Sequence, residues 1–205
     1  MQVFGLLVST VFALSALLLP PEAIEVQGPS GKVADLSAAT AVDLAGATVR
    51  PLATTAPATV LLFVREDCPI ANRYAPEIVR LHDRFSPQGV VFWLVYADTP
   101  QDGEAIRAHL RDYGLPDQAL RDPEHVLVRA AGVRVTPEAA VFVPGPGGPR
   151  LAYRGRIDDR YQALGRMRAS PTVHDLEEAL TAVLAGKAVV RSEAPAVGCF
   201  ITNQP

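Results

Sequence analysis

A cysteine followed by a proline, Cys68-Pro69, stands where an apolar run, Thr59 to Val64 (TVLLFV), passes through Arg65, Glu66 and Asp67 into a helical pattern. A strand, a short turn and a helix opening on a cysteine set the sulfur against unpaired backbone N–H groups and the positive end of the helix. Both favour thiolate over thiol, and the thiolate is the nucleophile. The chemistry on offer is attack on a disulfide or a peroxide; the plainer role of a free cysteine is that of a small buried apolar residue. Glu66 and Asp67 beside the thiol work against ionisation, and Arg65 or Arg73 can counter them.

The second cysteine, Cys199, lies in Val197-Gly198-Cys199-Phe200-Ile201, after the last helical pattern. The segment Arg154-Gly155-Arg156-Ile157-Asp158-Asp159-Arg160-Tyr161 is dense in charge. It reads either as a solvated loop with internal ion pairs or as a source of one arginine, Arg156 or Arg160, that faces the Cys68 turn and steadies a thiolate and a leaving oxygen. The four histidines, at 82, 109, 125 and 174, fall on or beside expected helices without metal-ligand spacing and read as surface or capping residues; a copper site from His125 and Cys68 is a remote alternative. Gly145 to Gly148 has no helix behind it to cradle a phosphate. No bound cofactor and no metal are expected.

Nineteen basic residues against 22 acidic ones, scattered rather than clustered, give a net charge of −3 and no electrostatic attraction for nucleic acid. Val3 to Leu19 carries no charge and ends at Pro20-Pro21-Glu22-Ala23, the pattern of a secretory leader over residues 1–23, although Met1 and Gln2 supply no basic n-region. An uncleaved anchor, the one route to a membrane, is the alternative. Export to the periplasm or another extracytoplasmic space follows, and there two cysteines tend to meet as a disulfide, permanent or transient. Residues 24–32 read as a linker, 33–187 as one domain and 188–205 as a tail carrying Cys199.

Within that domain Val42 to Ala47 predicts a hairpin turning at Gly46. Thr59–Val64 and Val90–Tyr96 predict strands buried on both faces, as in a parallel sheet. Tyr74, Ile78, Leu81 and Phe85 mark the buried stripe of a helix over 72–85. Further helices are expected over 104–113, from Asp122-Pro123 to about Ala131, and over 173–184. Val133 to Val143 predicts a strand with Pro137 ahead of it, joined through Pro144–Pro149 to a partner at Leu151–Tyr153.

This order, with Asp43-Leu44-Ala45-Gly46 in the first hairpin, Phe63 through Asp67-Cys68-Pro69 at the turn and Val135-Thr136-Pro137 before the penultimate strand, resembles the thioredoxin-fold redoxins of alkyl hydroperoxide reductase and thiol-specific antioxidant (peroxiredoxin-like) type. The resemblance implies an α/β fold with a central mixed sheet flanked by helices and an N-terminal β-hairpin extension. It implies a cis proline at Pro137, with Thr136 and Pro137 docking a substrate. It implies a thiol protein as electron donor or a disulfide client as partner. Four positions depart from the relatives. Ala71 stands where thioredoxins place a second cysteine and Asn72 where copper chaperones of this fold place theirs. Arg65 and Leu61 replace the Thr or Ser and the Pro of the usual peroxide pocket. What the resemblance leaves is Cys68 as redox nucleophile and Cys199, on a movable tail, as resolving cysteine. Two alternatives stay open. One is a static Cys68–Cys199 disulfide whose ~130-residue loop stabilises a non-enzymatic binding or metal-handling module by about 4 to 5 kcal/mol; the other is an intermolecular bond.

Overall fold

The computed structural model describes residues 36–97 and 103–202. The leader, the linker and residues 33–35 of the expected domain lie outside the described residues. No helix among the described residues is long and apolar enough to cross a membrane.

The chain opens with β1 (Ala41–Asp43) and β2 (Thr48–Val49). Asp43 closes the hairpin between them by accepting from the Ala45 and Ala47 N–H groups, and Gly46 takes the positive φ (91°) that the turn needs. Next come β3 (Thr59–Val64), α1 (Pro69–Arg73), α2 (Ala75–Phe85), β4 (Val91–Tyr96), α3 (Gly103–Tyr113), β5 (Ala119–Arg121) and α4 (Val126–Ala131). The expected single helix over 72–85 is broken at Tyr74, because Pro76 brings no N–H to continue the hydrogen-bond ladder. Its stripe is nonetheless as read: Tyr74, Ile78, Leu81 and Phe85 are all buried.

After α4 the chain forms β6 (Val135–Thr136), β7 (Glu138–Val143), β8 (Arg150–Gly155), the small hairpin β9 (Tyr161–Ala163) and β10 (Arg166–Met167), and α5 (Asp175–Leu184). Two short strands end it, β11 (Glu193–Ala194) and β12 (Cys199–Phe200). The fold thus continues past residue 187, where the sequence reading ends the domain.

The main sheet has the order β11-β8-β7-β3-β4-β5-β1-β2. β3, β4 and β5 run parallel, while β7 lies antiparallel to β3 with Phe63 opposite Glu138, and β8 antiparallel to β7. The sheet is mixed, as the thioredoxin-like resemblance implies. Side chains alternate between two cores: Val60, Leu62 and Val64 join Ile78, Leu81, Ile106 and Leu180, whereas Leu61 and Phe63 join Leu127, Val128 and Phe142. With all six residues of β3 buried, the turn at its carboxyl end is held on a rigid base.

Candidate functional site

Cys68 occupies the N-cap of α1, in extended conformation (φ −88°, ψ 107°), with Pro69 supplying the first helical residue. Its N–H bonds to the Arg65 carbonyl at 3.2 Å and its carbonyl accepts from the Asn72 N–H at 3.0 Å, so turn and helix fix the Cα. The residue is fully buried. Its Sγ lies 3.1 Å from the Thr136 carbonyl and 2.6 Å from Sγ of Cys199.

The second sulfur is delivered by a ladder. β12 pairs antiparallel with β6, Cys199 opposite Thr136 and Phe200 opposite Val135. The Ile201 N–H adds a bond to the Arg134 carbonyl at 3.0 Å, and the Ile201 side chain is buried in the second core. The Thr136–Pro137 peptide bond is cis. The tail therefore lies on the backbone just ahead of that proline. Upstream, β11 runs parallel to β8, Glu193 opposite Arg154 and Ala194 opposite Gly155. The tail read from sequence as movable is strapped down at two points.

Gly198 is what lets the strap lie flat: a Cβ there would sit 2.1 Å from the Thr136 carbonyl oxygen, a backbone atom that cannot rotate aside. Gly198→Ala is expected to lift β12 off β6 and to slow oxidative joining of the two sulfurs about 100-fold, the cost of misplacing reacting atoms by roughly 1 Å. Quenched-flow mass spectrometry of disulfide formation reads the rate; an unchanged rate would show that the ladder does not position Cys199.

The two thiols differ in acidity. Burial pushes Cys68 up, but hydrogen bonds from the Cys199 side chain, the Ala71 N–H, the Thr136 side chain and the Cys199 N–H outweigh it, holding Cys68 below the ordinary cysteine value. Cys199 is pushed up to about 11, first by burial and then by its bond to Cys68. As a dithiol, Cys68 can donate to the Thr136 carbonyl. Once one proton leaves, the remaining proton stays on Cys199 and the negative charge on Cys68.

Arg65 is the arginine of this region. It is ion-paired with Asp67, and its guanidinium reaches the Phe200 carbonyl at 3.5 Å. It thus offsets the acid beside the thiol and braces the strap. Arg156, one of the two arginines that the sequence offered either to the sulfur or to ion pairs within its loop, is engaged in an ion pair. Its Nε donates to Asp175 at 2.7 Å, and Arg191 holds the other oxygen of that buried carboxylate at 2.6 Å. Asp175 has only 1 % of its side chain exposed, so a charge there demands a partner, and that demand fixes Arg156 at the start of α5.

One group of residues was not read from the sequence. Asn72 donates to the Glu66 carbonyl at 2.7 Å, and its Oδ1 lies 2.8 Å from His109 Nε2, while His109 Nδ1 lies 2.7 Å from the Tyr96 hydroxyl. Because Asn72 spends its NH₂ on Glu66, its oxygen accepts, so Nε2 carries the proton and Nδ1 accepts from Tyr96. Burial holds His109 below the usual histidine range. The chain Tyr96–His109–Asn72 braces the carbonyl two residues before Cys68. His109 was expected as a surface or capping residue; its place beside Ile106 and Leu110 on the buried face of α3 was the available signal. His125 is buried as well, capping α4 at positive φ (50°) with Nε2 on the Ala97 carbonyl. His109→Leu strands the Tyr96 hydroxyl and the Asn72 amide oxygen, and a loss of about 1 to 3 kcal/mol in urea unfolding is expected. Adding Tyr96→Phe should cost less in the His109→Leu background than in the wild type, since its partner is already gone.

Comparison with known proteins adds the lineage. Residues 30–149 match the model of the AhpC/TSA family. A search of curated proteins gave no match. Among solved structures, the chain is similar to an uncharacterised conserved protein from Geobacillus kaustophilus, at 26 % identity and a TM-score of 0.68, over 81 % of this chain and 88 % of that one. It is similar to a hypothetical protein from Sinorhizobium meliloti 1021 at 24 % identity and a TM-score of 0.67, over 80 % and 90 %. It shares its fold with dsbF of MTB, solved in mixed oxidised and reduced forms, at 18 % identity and a TM-score of 0.52, over 72 % and 96 %.

Proposed function

The chain belongs to the AhpC/TSA family, and on that premise we propose that it is a thiol-dependent oxidoreductase in which Cys68 is the redox nucleophile and Cys199 its resolving partner. The observation that carries this reading is the pair of facing sulfurs, 2.6 Å apart, one presented by a helix N-cap and the other by a strand laid on the backbone ahead of Pro137. A buried cysteine with an apolar packing role needs no second sulfur opposite it.

In the oxidising half, the Cys68 thiolate attacks one oxygen of a peroxide; the O–O bond breaks, the other oxygen leaves with a proton, and Cys68 becomes a sulfenic acid. Cys199 attacks that sulfur, its proton leaves with the hydroxyl as water, and a Cys68–Cys199 disulfide forms. A disulfide client enters the same cycle, with its thiolate as leaving group in place of hydroxide. In the reducing half, a thiol protein takes the disulfide by two exchanges and becomes oxidised itself. Of the two joined sulfurs Cys199 is the more exposed, and Cys68 leaves more readily as the more acidic thiol. Thr136 and Pro137 form the edge on which an extended substrate docks, here covered by the chain's own tail. The leader reading places this cycle outside the cytoplasm.

The test is the intact mass of the fully reduced protein before and after one equivalent of hydrogen peroxide or of a small disulfide, followed by mild dithiol. A loss of two hydrogens that dithiol restores is the expected result. A dithiol inert to both oxidants would overturn the cycle. A pair that forms a bond resistant to mild dithiol would replace it with the static clamp.

A further inference from the structure

Away from the sulfurs, three elements distant in sequence converge on one spot: the first turn of α2 with Glu77, the turn after β8 with Asp158, and the residue capping α5, His174. Each offers a donor atom, and the three atoms lie within 4.8 Å of one another. Asp158 is buried, with 1 % of its surface exposed. Its Oδ1 is held by the Tyr74 hydroxyl at 2.5 Å and the Arg160 N–H at 2.9 Å, which fixes the carboxylate plane. Its Oδ2 is buried with no hydrogen-bond partner, and so is Nδ1 of His174.

Unpaired buried polar atoms are rare, because each forfeits its hydration without compensation. Two within one small cluster, both lone-pair donors, call for a group that accepts lone pairs. We propose that Glu77, Asp158 and His174 bind a divalent transition-metal ion of borderline softness, of which Zn²⁺ is the type. One imidazole nitrogen and two carboxylate oxygens suit such an ion, at bond lengths of about 2.0 to 2.2 Å, with further positions left to water. Ca²⁺ and Mg²⁺ prefer all-oxygen shells and fit this set less well.

Glu77 already has a partner, since Arg80 donates to both of its oxygens at 2.6 and 2.8 Å. Arg80 also pairs with Glu177, which Arg84 holds in turn. Drawing Glu77 onto an ion thus leaves Arg80 with a carboxylate, and the pair given up is a part-exposed one of small worth. The ion would tie the starts of α2 and α5 to the turn after β8, and through Asp158 and Tyr74 it would reach the end of the helix that Cys68 opens.

The test uses the Cys68→Ser/Cys199→Ser double variant, checked for folding by circular dichroism, so that no thiol competes for metal. Calorimetric titration with Zn²⁺ is expected to give one site per chain and a melting temperature that rises with Zn²⁺ and falls back with EDTA. X-ray absorption should show a nitrogen–oxygen shell containing a single imidazole. Asp158→Asn and His174→Gln should each weaken binding at least ~10-fold, and Arg80→Ala should tighten it by freeing Glu77. Should Asp158→Asn fail to fold, His174→Gln on the helix cap decides alone. No binding at micromolar Zn²⁺, or binding that His174→Gln leaves unchanged, overturns the site.

Discussion

Cys68→Ser is expected to reduce oxidant-driven turnover roughly 10³-fold or more, the scale of loss when a catalytic nucleophile is removed, while Cys199→Ala retains one round and stops. In the second variant the Cys68 product has no partner to condense with, so a sulfenic acid or a mixed disulfide should accumulate, visible by intact mass. The pH profile separates the two sulfurs further. In the reduced wild type, the rate of Cys68 modification by an alkylating probe should rise with a midpoint below the ordinary cysteine value, because Cys199 donates its S–H to the Cys68 thiolate. Removing that donor takes stabilisation from the thiolate alone. The midpoint in Cys199→Ala should therefore move upward, and less of Cys68 should be ionised at neutral pH. A midpoint that stays put would mean that the amides of the turn, and not the second sulfur, set the acidity. Serine at 199 is a poorer probe, since its hydroxyl can donate in the same place.

The division between what the sequence shows and what it hides follows the length scale of each signal. β3 and the stripe of α2 were legible because burial on a long element repeats, and each repeat adds to the pattern. Cys68 was legible because an N-capping cysteine, a following proline and a preceding strand are all local. Thr136-Pro137 needed the family resemblance. Cys199 was visible as a residue but not as a position: β12 is two residues long and exists only because β6 offers an edge. No periodicity announces a strand of that length, nor β5 with three residues. Arg156 shows a different limit. Its charge was read against the nearest chemistry of interest or against partners in its own loop, whereas the buried Asp175, 19 residues on, had the stronger electrostatic claim. Asn72 was noticed for the cysteine it replaces; its own role, tying the Cys68 turn to α3, depends on a histidine whose burial no single residue reveals.

The glycines of the strap carry a signal that composition hides altogether, and Gly155 yields the largest expected loss of stability. It has φ +146°, a region that side chains rarely enter, and a Cβ built on it would lie 2.0 Å from the Ala194 carbonyl oxygen. Two independent costs follow for Gly155→Ala. The backbone strain is on the order of 1 to 3 kcal/mol. The overlap is with backbone, so no rotamer relieves it and β11 must leave β8. That breaks the bonds from the Arg154 N–H to Ser192 at 2.9 Å and from the Arg156 N–H to Ala194 at 3.0 Å, each worth about 0.5 to 1.5 kcal/mol. Together the expected destabilisation is about 2 to 6 kcal/mol, a large share of the 5 to 15 kcal/mol that typically separates folded from unfolded. Gly46→Ala is the control: φ is +91° there too, but nothing lies within 4 Å of the added carbon, so only the strain remains. Equal losses in urea unfolding would remove the contact argument. A larger loss at 155, together with slower joining of Cys68 to Cys199, would show that β11 holds the strap whose end carries the second sulfur. The fold would then be tied to its chemistry through one missing Cβ.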